Sequence, residues 1–306
     1  MKRLSLRAAA ADEGERLDRF LAARGGISRG EARRALERGG VFLEGRRCKQ
    51  ASRPVRRGQR VEVHLEEGGR RPAAAAPLER SRLLYADEHL AALDKPAGVP
   101  AQPTLASDRG HLPELAARLL GGEVFPVHRL DRETSGVVVL ARTRAAAAAL
   151  SAAFREGSPA KTYLALCARA PVPPEGRSEA PLGPDPRRPG RRTVDPGGEP
   201  AATAWRTLRR GPGGEALVEA RPETGRTHQI RVHLAHLGAP LLGDARYGGP
   251  RRVLEVSIPR VMLHASRLEI RHPLTGARLS IEAPLPADFR AALDALVPGD
   301  VPGSTR

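Results

Sequence analysis

The stretch His128-Arg129-Leu130-Asp131-Arg132-Glu133-Thr134-Ser135-Gly136 crowds ionisable side chains and small turn-formers into one short segment. It stands directly ahead of Val137-Val138-Val139-Leu140, a β-branched run that reads as a buried strand. A loop at the end of a buried strand is a usual place for chemistry, because the scaffold holds the loop while leaving it reachable. Asp131 is the candidate reactive group, a carboxylate between apolar Leu130 and the cationic Arg129 and Arg132. For a bare H-R-x-D the competing reading is a solvated polar turn.

Three further stretches carry candidate groups. Residues 224–238 read T-G-R-T-H-Q-I-R-V-H-L-A-H-L-G, with Ile230, Leu234 and Leu237 repeating along one helical face. Thr227 can cap that helix and Gly238 can close it, which puts Arg226 in a glycine-assisted turn just before the helix begins. His228, His233 and His236 invite a zinc reading. Only His233 and His236 share a face, however, and no H-E-x-x-H or nearby thiolate accompanies them, so no metal is expected. Lys161-Thr162-Tyr163 opens a predicted strand that places Tyr163 and Ala165 on one side, and Lys95-Pro96-Ala97-Gly98 ends another in a sharp turn.

The elements that must position these groups are legible in outline. Strands are predicted over 82–85, 90–93 and 161–166, and helices over 113–121 and 145–155. Residues 171–200, rich in Pro, Gly and Arg, read by composition as surface loop. The arginines there, Arg187, Arg188, Arg191 and Arg192, serve either RNA or solvent. At the front, residues 15–21 carry Leu17, Phe20 and Leu21 on one helical face. A second helix starts at Ser28, whose capping box is completed by Glu31, and stops at Gly39-Gly40 near residue 38. Ala32, Ala35 and Leu36 face inward, leaving Arg29, Arg33, Arg34 and Arg38 as a positive stripe suited to a phosphate backbone. Short strands follow at 41–43 and 61–65, and residues 68–81 read as a linker.

Composition narrows the function classes. With 306 residues, 40% of them hydrophobic, the chain can bury a sizeable core without staples. Cys48 and Cys167 stand far apart, no leader-like apolar segment opens the sequence, and no long apolar run occurs, so a soluble cytoplasmic protein is expected. Lys and Arg number 51 against 35 Asp and Glu, a net charge of +16, which makes a polyanion the default partner. A GC-rich genome would also inflate arginine. Aromatics are only 3%, which disfavours recognition by rows of stacked rings.

The segment H-R-L-D-R-E-T-S-G resembles the signature of the RluA-type pseudouridine synthases. The family's other motifs follow in order over about residues 82–290: K-P-A-G at 95–98, K-T-Y at 161–163, G-R-T-H-Q-I-R at 225–231 and L-H-A at 263–265. One departure is Val99-Pro100-Ala101-Gln102-Pro103, where many relatives carry a histidine. At the front, R-L-D-R-F-L and S-R-G-E-A-R-R-A-L-E-R-G-G-V are similar to the small alpha-L RNA-binding domain of a ribosomal protein. The resemblance implies an α+β fold, and in it A-P-L-G at 180–183 and E-P-A-A-T at 199–203 form short strands, which keeps residues 171–200 inside the catalytic domain. A mixed, largely antiparallel catalytic domain over 82–295 would follow an RNA-binding domain over 14–67 and the linker, leaving 296–306 as a tail.

The resemblance also implies conversion of uridine in structured RNA to pseudouridine, in a monomer with no cofactor, no metal and no obligate protein partner. Large-subunit ribosomal RNA is the expected substrate, with transfer RNA as the alternative. Asp131, Tyr163 and Arg226 would be catalytic, Arg226 pairing with the aspartate. His128, Arg129, Thr134, Lys95, His228, Leu263 and His264 would contact the flipped nucleotide, and Arg29, Arg33, Arg34 and Arg38 the RNA backbone. Attack on the ribose, attack on the base and proton abstraction all place Asp131 beside the glycosidic bond. Two other readings are an inactive RNA-binding or assembly factor, and a glycosidase pairing Asp131 with Glu133 or Asp244.

Overall fold

The computed structural model describes residues 2–65 and 77–299. The predicted linker at 68–81 lies outside them up to residue 76, as does the tail from residue 300. Two compact units form, Met1–Pro77 with Gln102–Arg118, and Leu78–Ala101 with Leu119–Arg306.

In the first unit β1 (Lys2–Arg7), α1 (Leu17–Gly25), α2 (Arg29–Arg38), β2 (Val41–Leu43), β3 (Arg46–Arg47) and β4 (Arg60–Leu65) build a four-stranded sheet, ordered β1-β4-β2-β3, under two helices. The expected capping box is present: the Ser28 hydroxyl accepts the Glu31 amide at 3.2 Å and Glu31 accepts the Ser28 amide at 2.8 Å. Leu17, Phe20, Leu21, Leu36, Val41 and Val63 form the core between helices and sheet. Strand β1 was not expected. Its alternation turns Leu4 and Leu6 toward that core, and it pairs antiparallel along the whole of β4. Residues 102–118 also pack with this unit: the Asp108 amide donates to the Arg38 carbonyl (3.0 Å), its carboxylate meets Lys49 (2.7 Å), and Arg47 donates to the Thr104 carbonyl (2.8 Å).

The second unit opens with β5 (Leu83–Ala86) and β6 (Leu90–Lys95); α3 (Leu112–Leu120) follows in the chain, its first residues in the first unit. Next come β7 (Phe125–Pro126), β8 (Ser135–Ala141), α4 (Arg144–Glu156) and β9 (Ala160–Cys167). Residues 171–200, read by composition as loop, contain β10 (Glu175–Ser178), β11 (Leu182–Pro184) and β12 (Arg192–Val194). After β13 (Thr203–Arg210) and β14 (Ala216–Pro222) come α5 (Gln229–His236), the hairpin β15 (Arg252–Val253) and β16 (Val256–Ser257), β17 (Leu263–Arg271), β18 (Arg278–Glu282) and α6 (Ala287–Leu296).

The ten-stranded sheet runs β10-β13-β14-β9-β17-β8-β6-β5, with β18 on β17 and β7 on β8. Its pairs are antiparallel except β17 with β8, which is parallel. Every residue of β6 and β8 is buried, as their continuous apolar runs require. The parallel step is where the Asp131 loop enters the sheet. Gly136 stands there at φ 112°, and a Cβ on it would lie 2.2 Å from the Ala265 carbonyl oxygen, so position 136 admits only glycine.

Candidate active site

The Asp131 loop is pinned from several sides before any reactive atom is considered. Within it, the Thr134 amide donates to the Asp131 carbonyl at 3.1 Å. Lys95 reaches in from β6 to the Arg132 carbonyl (3.1 Å) and also donates to the carbonyls of Pro96 and Val99 (2.9 Å each). The Gly98 amide donates to the same Arg132 carbonyl at 2.7 Å. Arg260, fixed by Asp288 at the start of α6, donates to the Glu133 carbonyl at 3.3 Å. Two residues on, the Ser135 hydroxyl bonds His264 Nδ1 at 3.0 Å.

Helix α5 supplies the cation. Its first residue, Gln229, accepts from the Arg226 amide (2.9 Å) and the Thr224 hydroxyl (2.6 Å), and donates to the Ala202 carbonyl (2.8 Å), locking the turn that leads into the helix. Arg231 Nη1 then donates to Asp131 Oδ2 at 3.0 Å, while its Nε and Nη2 grip Asp244 at 2.7 and 2.8 Å. With its side chain 8% exposed and two carboxylates on it, the guanidinium is held in a single geometry. His228 Nε2 stands 3.8 Å from the same Asp131 Oδ2. Both neighbours sit on Oδ2, and among the described residues no hydrogen bond is made to Oδ1.

Asp131 lines a cavity of about 360 Å³, within the range of small-molecule sites. Arg129, Thr134, Phe154, Lys161, Tyr163, Arg226, His228, Arg231 and Leu263 share its wall. Tyr163 faces it from β9 with no hydrogen bond to its hydroxyl among the described residues. Burial, and then the charge of Asp131, push that phenol well above its ordinary range, so it is protonated and uncharged. The assembly is a carboxylate with one anchored oxygen, a neutral aromatic ring and a rim of arginines, suited to a carboxylate-driven rearrangement of a small planar group attached to a polyanion.

Two known domain families match the chain. The family described as RNA pseudouridylate synthase matches residues 89–236, and the S4 domain family matches residues 15–61. An uncharacterized RNA pseudouridine synthase of Chloroflexus aurantiacus is 41% identical over 290 residues, 91% of this chain and 89% of its own length. The chain belongs to the RluA-type RNA pseudouridine synthases. The dual-specificity RNA pseudouridine synthase RluA of Escherichia coli is 38% identical to this synthase over 68% of the chain and 93% of its own. Ribosomal large subunit pseudouridine synthase D of Xanthomonas campestris is 35% identical over 88% of the chain and 85% of its own. Among solved structures, human RNA pseudouridylate synthase domain containing 4 superposes with a TM-score of 0.58 at 28% identity, covering 70% of this chain and 92% of its own. The synthase therefore isomerises uridine in RNA and carries an RNA-binding S4 domain.

Several residues expected at its site are placed differently. Arg226 lines the cavity but pairs with Glu199 (3.2 Å) and the Pro200 carbonyl (2.9 Å), not with Asp131. The expected partner is replaced by Arg231, five residues on, because the helix starts later than predicted. Thr227 does not cap it; His228 stands at the N-cap with φ 59° and makes no side-chain cap. Lys95 is fully buried on three carbonyls, so it braces the loop and cannot touch RNA; burial pushes it down to about 7. His264 is fully buried between Ser135 and the Ala283 carbonyl. His128 reaches the cavity wall, but its Nε2 accepts the Val139 amide (2.9 Å), its ring stacks on Phe154 at 4.3 Å, and burial pushes it down to about 3. Arg129, Thr134, Tyr163, His228 and Leu263 do line the cavity.

Two other expectations meet the structure here. Asp244, weighed as a glycosidase partner of Asp131, is 1% exposed and spent on Arg231. In the front domain Arg29 and Arg33 each place Nε 3.1 Å from buried Asp18, while Arg34 is exposed and Arg38 half-buried. The signal that could have singled out Arg231 was an arginine within the apolar run of a helix, with an acid thirteen residues later.

Proposed function

We propose that the synthase modifies uridines of large-subunit ribosomal RNA, with Asp131 acting at the glycosidic bond. The observation that carries this is the carboxylate on the cavity wall, Oδ2 held by Arg231 and Oδ1 without a partner among the described residues. Oδ1 is the reacting oxygen in this reading. The buried guanidinium holds the carboxylate in place as water is excluded, and such a pair is stable there only with good geometry. The reaction breaks the bond from uracil N1 to ribose C1′ and joins C5 to C1′; the proton leaves C5 and N1 gains one.

A uridine reaches Oδ1 only by leaving its stack, at a cost of a few kcal/mol. Exposed Arg129 fills the space it vacates, and Tyr163 and Leu263 pack the extruded uracil from β9 and β17. Arg226, clamped by Glu199, is a rim residue on the RNA side. The match to the large-subunit relative extends over 88% of the chain against 68% for the dual-specificity one, which supports the ribosomal substrate. Buried free Cys48 and Cys167 fit a reducing, cytoplasmic setting, and we read the enzyme as a monomer.

The test is to incubate the protein with deproteinised large-subunit ribosomal RNA and, separately, with transfer RNA, and to map pseudouridine by chemical tagging and primer extension. New stops in the ribosomal RNA are expected. Stops in transfer RNA alone would overturn the substrate, and none in either would overturn the function.

A further inference from the structure

His228 stands where its side chain has a choice of partners. At φ 59° it occupies the left-handed region, which, glycine aside, asparagine, aspartate and histidine enter most often, at a helix N-cap where asparagine would also supply the capping oxygen. The imidazole makes no cap. It turns inward instead, its side chain 14% exposed, with Nδ1 2.7 Å from the Tyr247 hydroxyl and Nε2 3.8 Å from Asp131 Oδ2.

The surroundings of Tyr247 assign the tautomer. Its oxygen already accepts the Arg192 amide at 3.0 Å, and the guanidinium carbons of Arg191 and Arg231 lie 5.1 Å from its ring centre, so cations occupy its faces. Among the described residues the acceptor for the phenol proton is His228 Nδ1. An imidazole that accepts at Nδ1 carries its proton on Nε2, the nitrogen that faces the carboxylate.

We propose that His228 is a positioning residue of the active site, a neutral Nε2–H donor locked by Tyr247 and aimed at the anchored oxygen of Asp131. The inference rests on the reading of Asp131 given above. Burial pushes the imidazole down to about 4; Asp131 and Asp244 work against that shift, Arg231 and Arg246 with it, so the ring is uncharged at neutral pH. A neutral donor orients the carboxylate without cancelling its charge, whereas an imidazolium in the same place would compete with the substrate for it. The 3.8 Å gap is one that closes as catalytic hydrogen bonds tighten around a bound substrate.

Two roles for His228 predict opposite rank orders. If the residue only supports a left-handed N-cap, asparagine is the best replacement, and glutamine and alanine are both poor. If the Nε2–H matters, glutamine, whose amide nitrogen reaches that position, retains most of the rate, and asparagine, one methylene shorter, does not. Single-turnover pseudouridine formation by H228Q, H228N and H228A should follow Gln well above Asn and Ala. We expect H228Q within about tenfold of the parent and H228N roughly a hundredfold down, with RNA affinity unchanged. H228N matching or exceeding H228Q would overturn the proposal.

Tyr247→Phe supplies a test independent of substitution at 228. Removing the donor to Nδ1 favours protonation of the ring, so the variant should lose rate between pH 7 and 5.5 while the parent holds. Parallel pH profiles would overturn the assigned tautomer. A parent protein inactive on every RNA offered would instead defeat the reading of Asp131, a result separable from either of these.

Discussion

The tetrapeptide Arg-Leu-Asp-Arg occurs twice, at residues 16–19 and 129–132, and the two copies have opposite fates. In both, the leucine is buried, at 0% and 5% exposure, and draws the aspartate after it toward the interior. Asp18 lies on α1, its side chain wholly buried, and accepts Nε of Arg16, Arg29 and Arg33, each at 3.1 Å. Burial alone would raise that carboxyl, but hydrogen bonds from the three arginines outweigh it and hold it well below the carboxylate range. Asp131 lies on a loop, 18% exposed, with one arginine on one oxygen and the other oxygen without a protein partner among the described residues. The same four residues give a saturated carboxylate that organises cations in one place and an unsaturated one beside a cavity in the other. Reactivity here is set by what the neighbours leave undone.

The largest effect that would sharpen this contrast is at the single arginine. Arg231→Lys keeps a charge but cannot bridge Asp131 and Asp244, and single-turnover rates should fall about 10²–10³-fold. Arg226→Lys, which disturbs only the contacts to Glu199 and the Pro200 carbonyl, should cost less than roughly tenfold. Equal losses in the two variants would break the assignment of the ion pair.

Asp18→Asn tests the other copy by the sign of its effect. Removing a negative charge from an RNA-binding domain should tighten RNA binding if net charge governs. If Asp18 holds Arg16, Arg29 and Arg33 in place for phosphates, affinity should instead drop by roughly tenfold, about 1.4 kcal/mol. Filter binding at fixed salt decides between them. Smaller still, Arg33→Gln should lower the slope of log affinity against log salt by about 0.7–0.9 for one phosphate contact, and more than Arg34→Gln does, although both remove one charge.

A last effect falls on stability rather than on activity or binding. His128, His228 and His264 are pushed by burial down to about 3, 4 and 4 from an ordinary 6.5. Between about pH 6.5 and 4 the unfolded chain binds protons that the folded protein refuses, so stability is lost as pH falls through that window. Each imidazole costs about 2 kcal/mol of stability at pH 5. Urea midpoints should fall steadily from pH 7 to 5; an unchanged midpoint would contradict the buried neutral rings.

Local chemistry made much of this readable in the sequence. The Ser28 capping box and the valine run of β8 each follow from a rule confined to a few residues. What was not readable depended on contacts distant in sequence. Whether Arg226 or Arg231 meets Asp131 turns on where α5 begins, and that is set by the left-handed backbone of His228 and by Gln229 reaching back to Thr224 and Arg226. Lys95 and His264 belong to the family's motifs without touching the cavity, since a motif marks what the site needs, including its bracing. Strand β1 was missed although Leu4 and Leu6 alternate correctly, because two leucines among charged residues are a weak signal until β4 is there to pair with them.

The most direct test runs both copies of the tetrapeptide side by side, as Asp131→Asn and Asp18→Asn, in single-turnover conversion of large-subunit ribosomal RNA at saturating enzyme. Asp131→Asn should yield no pseudouridine while binding RNA as the parent does, and Asp18→Asn should reach the parent's end point once its weaker binding is overcome by concentration. Product from Asp131→Asn at the parent's rate would contradict the account.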